Sequence, residues 1–191
     1  MIKSFLKAKF ITPFMPSIVT IIAVIFLILL VAHTSSMSND MIKPNTFYVP
    51  FADDASYYVS SEFGYRDDPI KKGSFNYHTG TDLVAPEGTD VLASCSGTVI
   101  KVGHNEGSLG NNVFIEHNYE GKIIYTAYLH MLDDSIIVSE GEQVETKQKI
   151  GVIGSTGRST GTHLHFSVMT PNPSLTKDNL VNPRELLSDL K

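Results

Sequence analysis

A mainly β domain behind one membrane-spanning helix is the architecture this 191-residue sequence predicts. Three observations carry that reading. The first is a stretch of 23 uncharged residues, Phe10 to Ala32. The second is a series of short, alternating apolar–polar runs after residue 46, separated by glycine and Asx turns. The third is that only one helical piece is expected after the linker, at the C-terminal end. Hydrophobic residues at 42 % and charged residues at 18 % exclude a disordered chain. The net charge of −5 implies no basic face, so no nucleic-acid partner is expected. A single cysteine, Cys95, excludes an intramolecular disulfide framework and any cysteine-rich metal finger, and reads as a buried structural thiol.

In chain order, residues 1–9 form a basic tail with Lys3, Lys7 and Lys9, and no acid precedes Asp40. Residues 10–32 form the apolar stretch. As a helix it would span about 34 Å, against a bilayer core of about 30 Å. Pro13 and Pro16 stand near its start, where a helix tolerates proline best. Lysines before it and acids after it place the tail in the cytoplasm and the rest outside, at the cell membrane as a single-pass protein. A cleaved signal peptide is the competing reading. The run exceeds the roughly 7–15 residues of a usual apolar signal region, and VAHTSSM offers no good small-x-small cleavage site, so an uncleaved anchor is expected. Residues 33–45, rich in Ser and Asn with Pro44, read as a linker.

Residues 46–191 form the outer domain. Strands are expected at Asp90–Ala93, Gly97–Val102, Asn112–His117, Lys122–Leu129 and Thr162–Met169, with turns at Glu120-Gly121 and Glu140-Gly141. A helix is expected over Pro183–Leu190, where the proline suits a first turn.

Two clusters carry chemistry. In His78-Thr79-Gly80-Thr81-Asp82 the histidine and the carboxylate lie four apart, on one face of an extended segment. They could converge on one metal if Gly80 lets the backbone bend. In His163-Leu164-His165 the two histidines share a strand face about 6.6 Å apart. One could bind a metal while the other reaches a molecule bound to it. Two histidines and one carboxylate suit a catalytic zinc site, which leaves a fourth position for water. His130 ends the strand-like run Tyr125–Leu129. His33, His104 and His117 read as ordinary surface or core histidines.

Taken together, these motifs resemble the lysostaphin-type (LytM) zinc metallopeptidases, which cut peptide bonds in bacterial peptidoglycan. The resemblance begins at Ser60-Ser61-Glu62-Phe63-Gly64-Tyr65-Arg66-Asp67-Asp68-Pro69. It runs through His78–Asp82, Ala85–Thr89, Tyr128-Leu129-His130 and Gly154–Phe166, to Val181-Asn182-Pro183. It implies a compact antiparallel β core of the duplicated hybrid motif kind, with a zinc ion in a groove walled by loops. It implies His78, Asp82 and His165 as zinc ligands, and His130 and His163 as catalytic histidines that are not ligands. Zn2+ is the implied cofactor and peptidoglycan peptides the implied partner, beside the bilayer and an unidentified regulatory protein. Ser167 stands where the family often has Glu, and Thr162 where it often has Pro; neither change removes a group that performs chemistry. Arg66 and Arg158 receive no role. The implied activity is a membrane-anchored zinc metalloendopeptidase. The alternative is a catalytically silent scaffold or regulator of wall hydrolysis, as some members of the family are; a toxin released from the membrane is a third reading.

Overall fold

The structure, a computed structural model, describes residues 46–69, 71–187 and 189–190. The tail, anchor and linker expected over residues 1–45 lie outside the described residues. Among those described, no helix is long and apolar enough to cross a membrane.

Among the described residues twelve strands follow in order: β1 (Tyr58–Ser61), β2 (Gly64–Asp67), β3 (Phe75–His78), β4 (Thr81–Val84), β5 (Asp90–Leu92), β6 (Gly97–Glu106), β7 (Gly110–Tyr119), β8 (Lys122–Met131), β9 (Gln143–Val144), β10 (Lys149–Val152), β11 (Leu164–Met169) and β12 (Leu180–Val181). The main sheet is antiparallel in the order β1-β4-β11-β8-β7-β6-β9, with β12 beside β11. The β5–β10 pair and the β2–β3 hairpin form two small sheets. β6, β7 and β8 extend beyond the runs marked by the sequence, because their ends carry polar residues that still pair.

The two faces of the main sheet differ in what they cover. On one face Leu83, Val113, Ile115, Tyr128, Leu164, Phe166 and Val168 join Phe47, Phe51, Val91, Ile150 and Ile153 in the principal core. Cys95 is part of it, and burial pushes its thiol up from its ordinary range. On the other face a smaller apolar group, Phe114, Ala127, Leu129 and Met169, leaves one end of the sheet to polar side chains. β11 is therefore buried along its whole length, and its alternation separates core from functional face rather than core from water.

The C-terminal helix does not form. Pro183–Glu185 make one 3-10 turn, opened by Asn182 Oδ1 accepting from the Arg184 amide. The chain then leaves the turn so that Leu187 pairs in parallel with Phe47 and is buried against the principal core. Burial of that leucine outweighs the modest helix propensity of so short a segment.

His117 sits in the core end of β7 as a neutral, fully partnered residue. Its Nδ1 donates to the Ser96 carbonyl at 2.9 Å, and Nε2 meets Thr126 Oγ1 at 2.8 Å. Burial pushes its pKa down to about 4, against a partial opposing effect of the Ser96 carbonyl. The unfolded chain then binds a proton between about pH 6.5 and 4 that the folded chain refuses, so stability falls as pH falls through that window. Between pH 7 and pH 4 this group should account for a loss on the order of 3 kcal/mol. In chemical denaturation, His117→Gln should be less stable at pH 7 but lose less on acidification by about that amount. Equal acid losses in the two proteins would contradict this account.

Candidate metal centre

One groove of about 630 Å3 opens on the polar end of the sheet. The β2–β3 hairpin walls one side and residues 154–163 the other. The Arg158 Nη2 atom, 3.0 and 2.9 Å from the two Asp68 oxygens, spans the walls. His78, Asp82, His130, His163 and His165 all line this groove.

Backbone geometry brings them together. His78 closes β3 and Asp82 lies in β4, with the chain bending at Gly80 between the two strands. The bend expected from the glycine is present, but a further requirement on Gly80 is steric. A Cβ there would overlap the Phe166 carbonyl and sit 2.7 Å from Ser167 Oγ and 2.8 Å from His165 Nε2. Only a bare backbone allows β11 to come so close. On β11, His165 pairs directly with Asp82 of β4, which sets carboxylate and imidazole side by side. His163 precedes β11 in a single bridge with Gly154.

His130 reaches the groove through a bulge. Between the pairs Val113↔Tyr128 and Asn111↔Met131, β8 carries two residues against one on β7. His130 takes φ of 65°, in the left-handed region. With strict alternation from the core residue Tyr128, His130 would face the core; the bulge turns it to the other side. Thr156 holds it there. Its carbonyl accepts from His130 Nδ1 at 2.9 Å, and its hydroxyl donates to the Met131 carbonyl at 2.8 Å.

The tautomers follow from the acceptors. His78 Nδ1 donates to the Glu62 carbonyl at 2.7 Å, so Nε2 keeps its lone pair. That atom lies 3.0 Å from Asp82 Oδ1 and 3.0 Å from His165 Nδ1. His165 Nδ1 is in turn 2.9 Å from Asp82 Oδ1. His165 Nε2 faces the hydroxyls of Ser167 at 3.0 Å and Thr79 at 3.2 Å, and donating there leaves Nδ1 bare. Burial lowers the His165 pKa and favours its neutral form, against the pull of Asp82. Burial alone would raise the Asp82 carboxyl; a proton on the facing nitrogen of His165 or His78, or a cation in its place, outweighs burial and holds the group ionised, well below the usual carboxylate range. Two imidazole lone pairs and a carboxylate oxygen thus meet at one buried point, an arrangement that calls for a cation. Tetrahedral zinc bonds of about 2.0–2.1 Å would separate such ligand atoms by roughly 3.3 Å, close to the spacing of this triangle.

His163 and His130 stand beside the triangle. His163 Nδ1 donates to the Gly161 carbonyl at 2.7 Å, which leaves Nε2 bare and 3.7 Å from Asp82 Oδ1. The His130 and His163 ring centres are 4.8 Å apart. Burial, with the neighbouring His163 and His165, pushes the His130 pKa down to about 4.

Sequence reasoning misses the residues that hold these side chains in place. Ser167 looks inconsequential in the sequence, yet its hydroxyl meets His165; being two residues along the same strand, it has to share that face. Thr79, Thr156 and the Glu62 carbonyl carry no sequence signal, because their roles depend on backbone positions set elsewhere.

Gly80→Ala should therefore cost about 1–3 kcal/mol in unfolding free energy, as overpacking of a tight site does. It should also weaken metal uptake, measured by equilibrium dialysis, because the new methyl group displaces His165.

Comparison with known proteins agrees with this geometry. Residues 76–183 match Peptidase family M23. The chain is 40 % identical over 131 residues to the DD-carboxypeptidase/endopeptidase Mpg of Neisseria meningitidis serogroup B, covering 62 % of this chain and 29 % of that protein. It is 40 % identical over 111 residues to the peptidoglycan DD-endopeptidase ShyC of Vibrio cholerae, covering 58 % and 24 %. The chain thus spans under a third of the length of these relatives. Among solved structures, a zinc-containing peptidase from Vibrio cholerae superposes with TM-score 0.58 and 34 % identity, over 76 % of this chain and 41 % of that one. The catalytic domain of lysostaphin from Staphylococcus simulans gives 0.57 and 30 %, over 70 % and 92 %. The antiparallel β core is thus of the lysostaphin kind, and by sequence and fold together the chain belongs to peptidase family M23.

Proposed function

We propose that this protein is a zinc metalloendopeptidase that hydrolyses peptide bonds in the stem or cross-bridge peptides of bacterial peptidoglycan. The observation that carries the proposal is the convergence of three bare ligand atoms on the floor of an open groove, with two further imidazoles alongside. In this reading His78, Asp82 and His165 hold the metal. The zinc supplies Lewis-acid polarisation of the scissile carbonyl and a water of lowered pKa. His130 and His163 present Nε2 to the same space, since their Nδ1 protons are tied to the Thr156 and Gly161 carbonyls. They are placed to take the proton of the attacking water, to steady charge on the carbonyl oxygen and to protonate the departing amine. Relatives named as peptidoglycan DD-endopeptidases make cross-link peptides the first substrates to test in the open groove.

Residues 10–32 are proposed as the anchor that keeps the domain on the outer side of the membrane, where its substrate is. The support is the uncharged 23-residue run and the lysines before it. The full-length protein should sediment with membranes and retain its N-terminus; recovery in the medium with a start downstream of Ala32 would overturn the anchor.

For the activity, the purified protein is incubated with cell walls and with defined muropeptides, and the products are identified by mass spectrometry. New amino termini are expected, abolished by a chelator and by His165→Ala. His130→Ala and His163→Ala should keep the metal and lose about 10²–10⁴ in kcat. New reducing sugar ends alone would overturn the proposal. A metal-loaded protein that cuts nothing would assign it to the silent scaffolds.

A further inference from the structure

Asp82 has two oxygens, and only Oδ1 faces the imidazoles. Oδ2 is 3.3 Å from Arg66 Nη2. Arg66 lies in β2 opposite Asn76 of β3, two residues from the Gly64↔His78 pair, so the hairpin presents Arg66 and His78 on its groove side together. The guanidinium is itself fixed, because Nη1 donates to Ser61 Oγ at 2.6 Å. A bulge in β1 makes that contact. The register against β4 shifts between Val59↔Leu83 and Ser61↔Asp82, which points consecutive serines at one place. Ser60 Oγ donates to the Asp82 carbonyl at 3.3 Å, and Ser61 Oγ receives Arg66. The Nε of Arg66 is buried without a hydrogen-bond partner. The side chain thus leaves a donor unused in order to hold this position, which generic surface pairing would not require.

We infer that Arg66, steadied by Ser61, is a positioning residue that occupies Asp82 Oδ2 so that the carboxylate meets the metal through Oδ1 alone. A free carboxylate can bind zinc through both oxygens, and the second would take up coordination space needed by water and substrate. Arginine suits this position because its planar fork reaches hydroxyl and carboxylate at once. The inference rests on the metal site proposed above, and it concerns only how one ligand is oriented.

The test replaces zinc by cobalt(II), whose visible absorption is stronger in four-coordinate than in five-coordinate sites. Wild type, Arg66→Met, Arg66→Lys and Ser61→Ala are compared by cobalt spectrum, metal stoichiometry and kinetics on a defined muropeptide. Arg66→Met should bind one cobalt, show the weaker five-coordinate spectrum, and lose roughly 10–100-fold in kcat with little change in KM. Arg66→Lys should recover part of the four-coordinate intensity. Ser61→Ala, which leaves the hairpin intact, should shift the spectrum the same way to a smaller extent, and it decides the matter if Arg66→Met does not fold. Wild-type spectra and kcat in the Arg66 and Ser61 variants would overturn this inference and leave the metallopeptidase reading standing. A wild-type protein that takes up no cobalt or zinc would overturn both.

Discussion

A buried negative charge at Asp82 is the constraint to which the rest of the site answers. A carboxylate removed from water is costly unless its lone pairs are met. Arg66 from β2 meets Oδ2, while His78 from β3 and His165 from β11 close on Oδ1. Those contacts bind the hairpin, β4 and β11 together at one point. The same contacts leave two imidazole lone pairs facing Oδ1, a geometry stable only with a cation or an extra proton at its centre.

The main sheet makes that concentration of polar groups sustainable. One face of β4, β8 and β11 buries Leu83, Tyr128, Leu164 and Phe166 in the principal core, while the residues between them turn to the groove. Because the side-chain period of a strand is two, the apolar half secures the register, and the register sets His165 opposite Asp82. Two departures from strict alternation occur where chemistry needs them. One bulge in β1 aims two serines at Asp82 and its arginine; another, in β8, brings His130 round from the core side. Both leave the ideal ladder at the groove, where backbone pairing is exchanged for placement of a side chain.

The sequence-level reading and the structure diverge in instructive places. Alternating runs mark the strands, since a half-buried ladder imposes its period on composition, but the polar ends of β6, β7 and β8 carry no such mark. A proline-led segment near the C-terminus looks helical in sequence, and burial of Leu187 against Phe47 turns it elsewhere. His117, ordinary by its sequence context, is an ordinary core residue, neutral and hydrogen-bonded at both nitrogens. Ser167, a neutral change by residue type, holds the His165 ring through its hydroxyl.

By itself, then, the sequence determined the mainly β class, the family resemblance and the set of groove residues His78, Asp82, His130, His163 and His165. The His78/Asp82 and His163/His165 pairs depend on residue type and short spacing, whereas His130 was implied by the resemblance and reaches the groove only through the β8 bulge. Only the tertiary structure decided which atoms of those side chains face one another, which tautomers they adopt and why Gly80 must lack a side chain. It also gave Arg66, Ser61, Thr79, Thr156 and Ser167 their places. Those facts rest on contacts between strands far apart in the chain, on the bulges in β1 and β8, and on carbonyls whose direction no local pattern encodes.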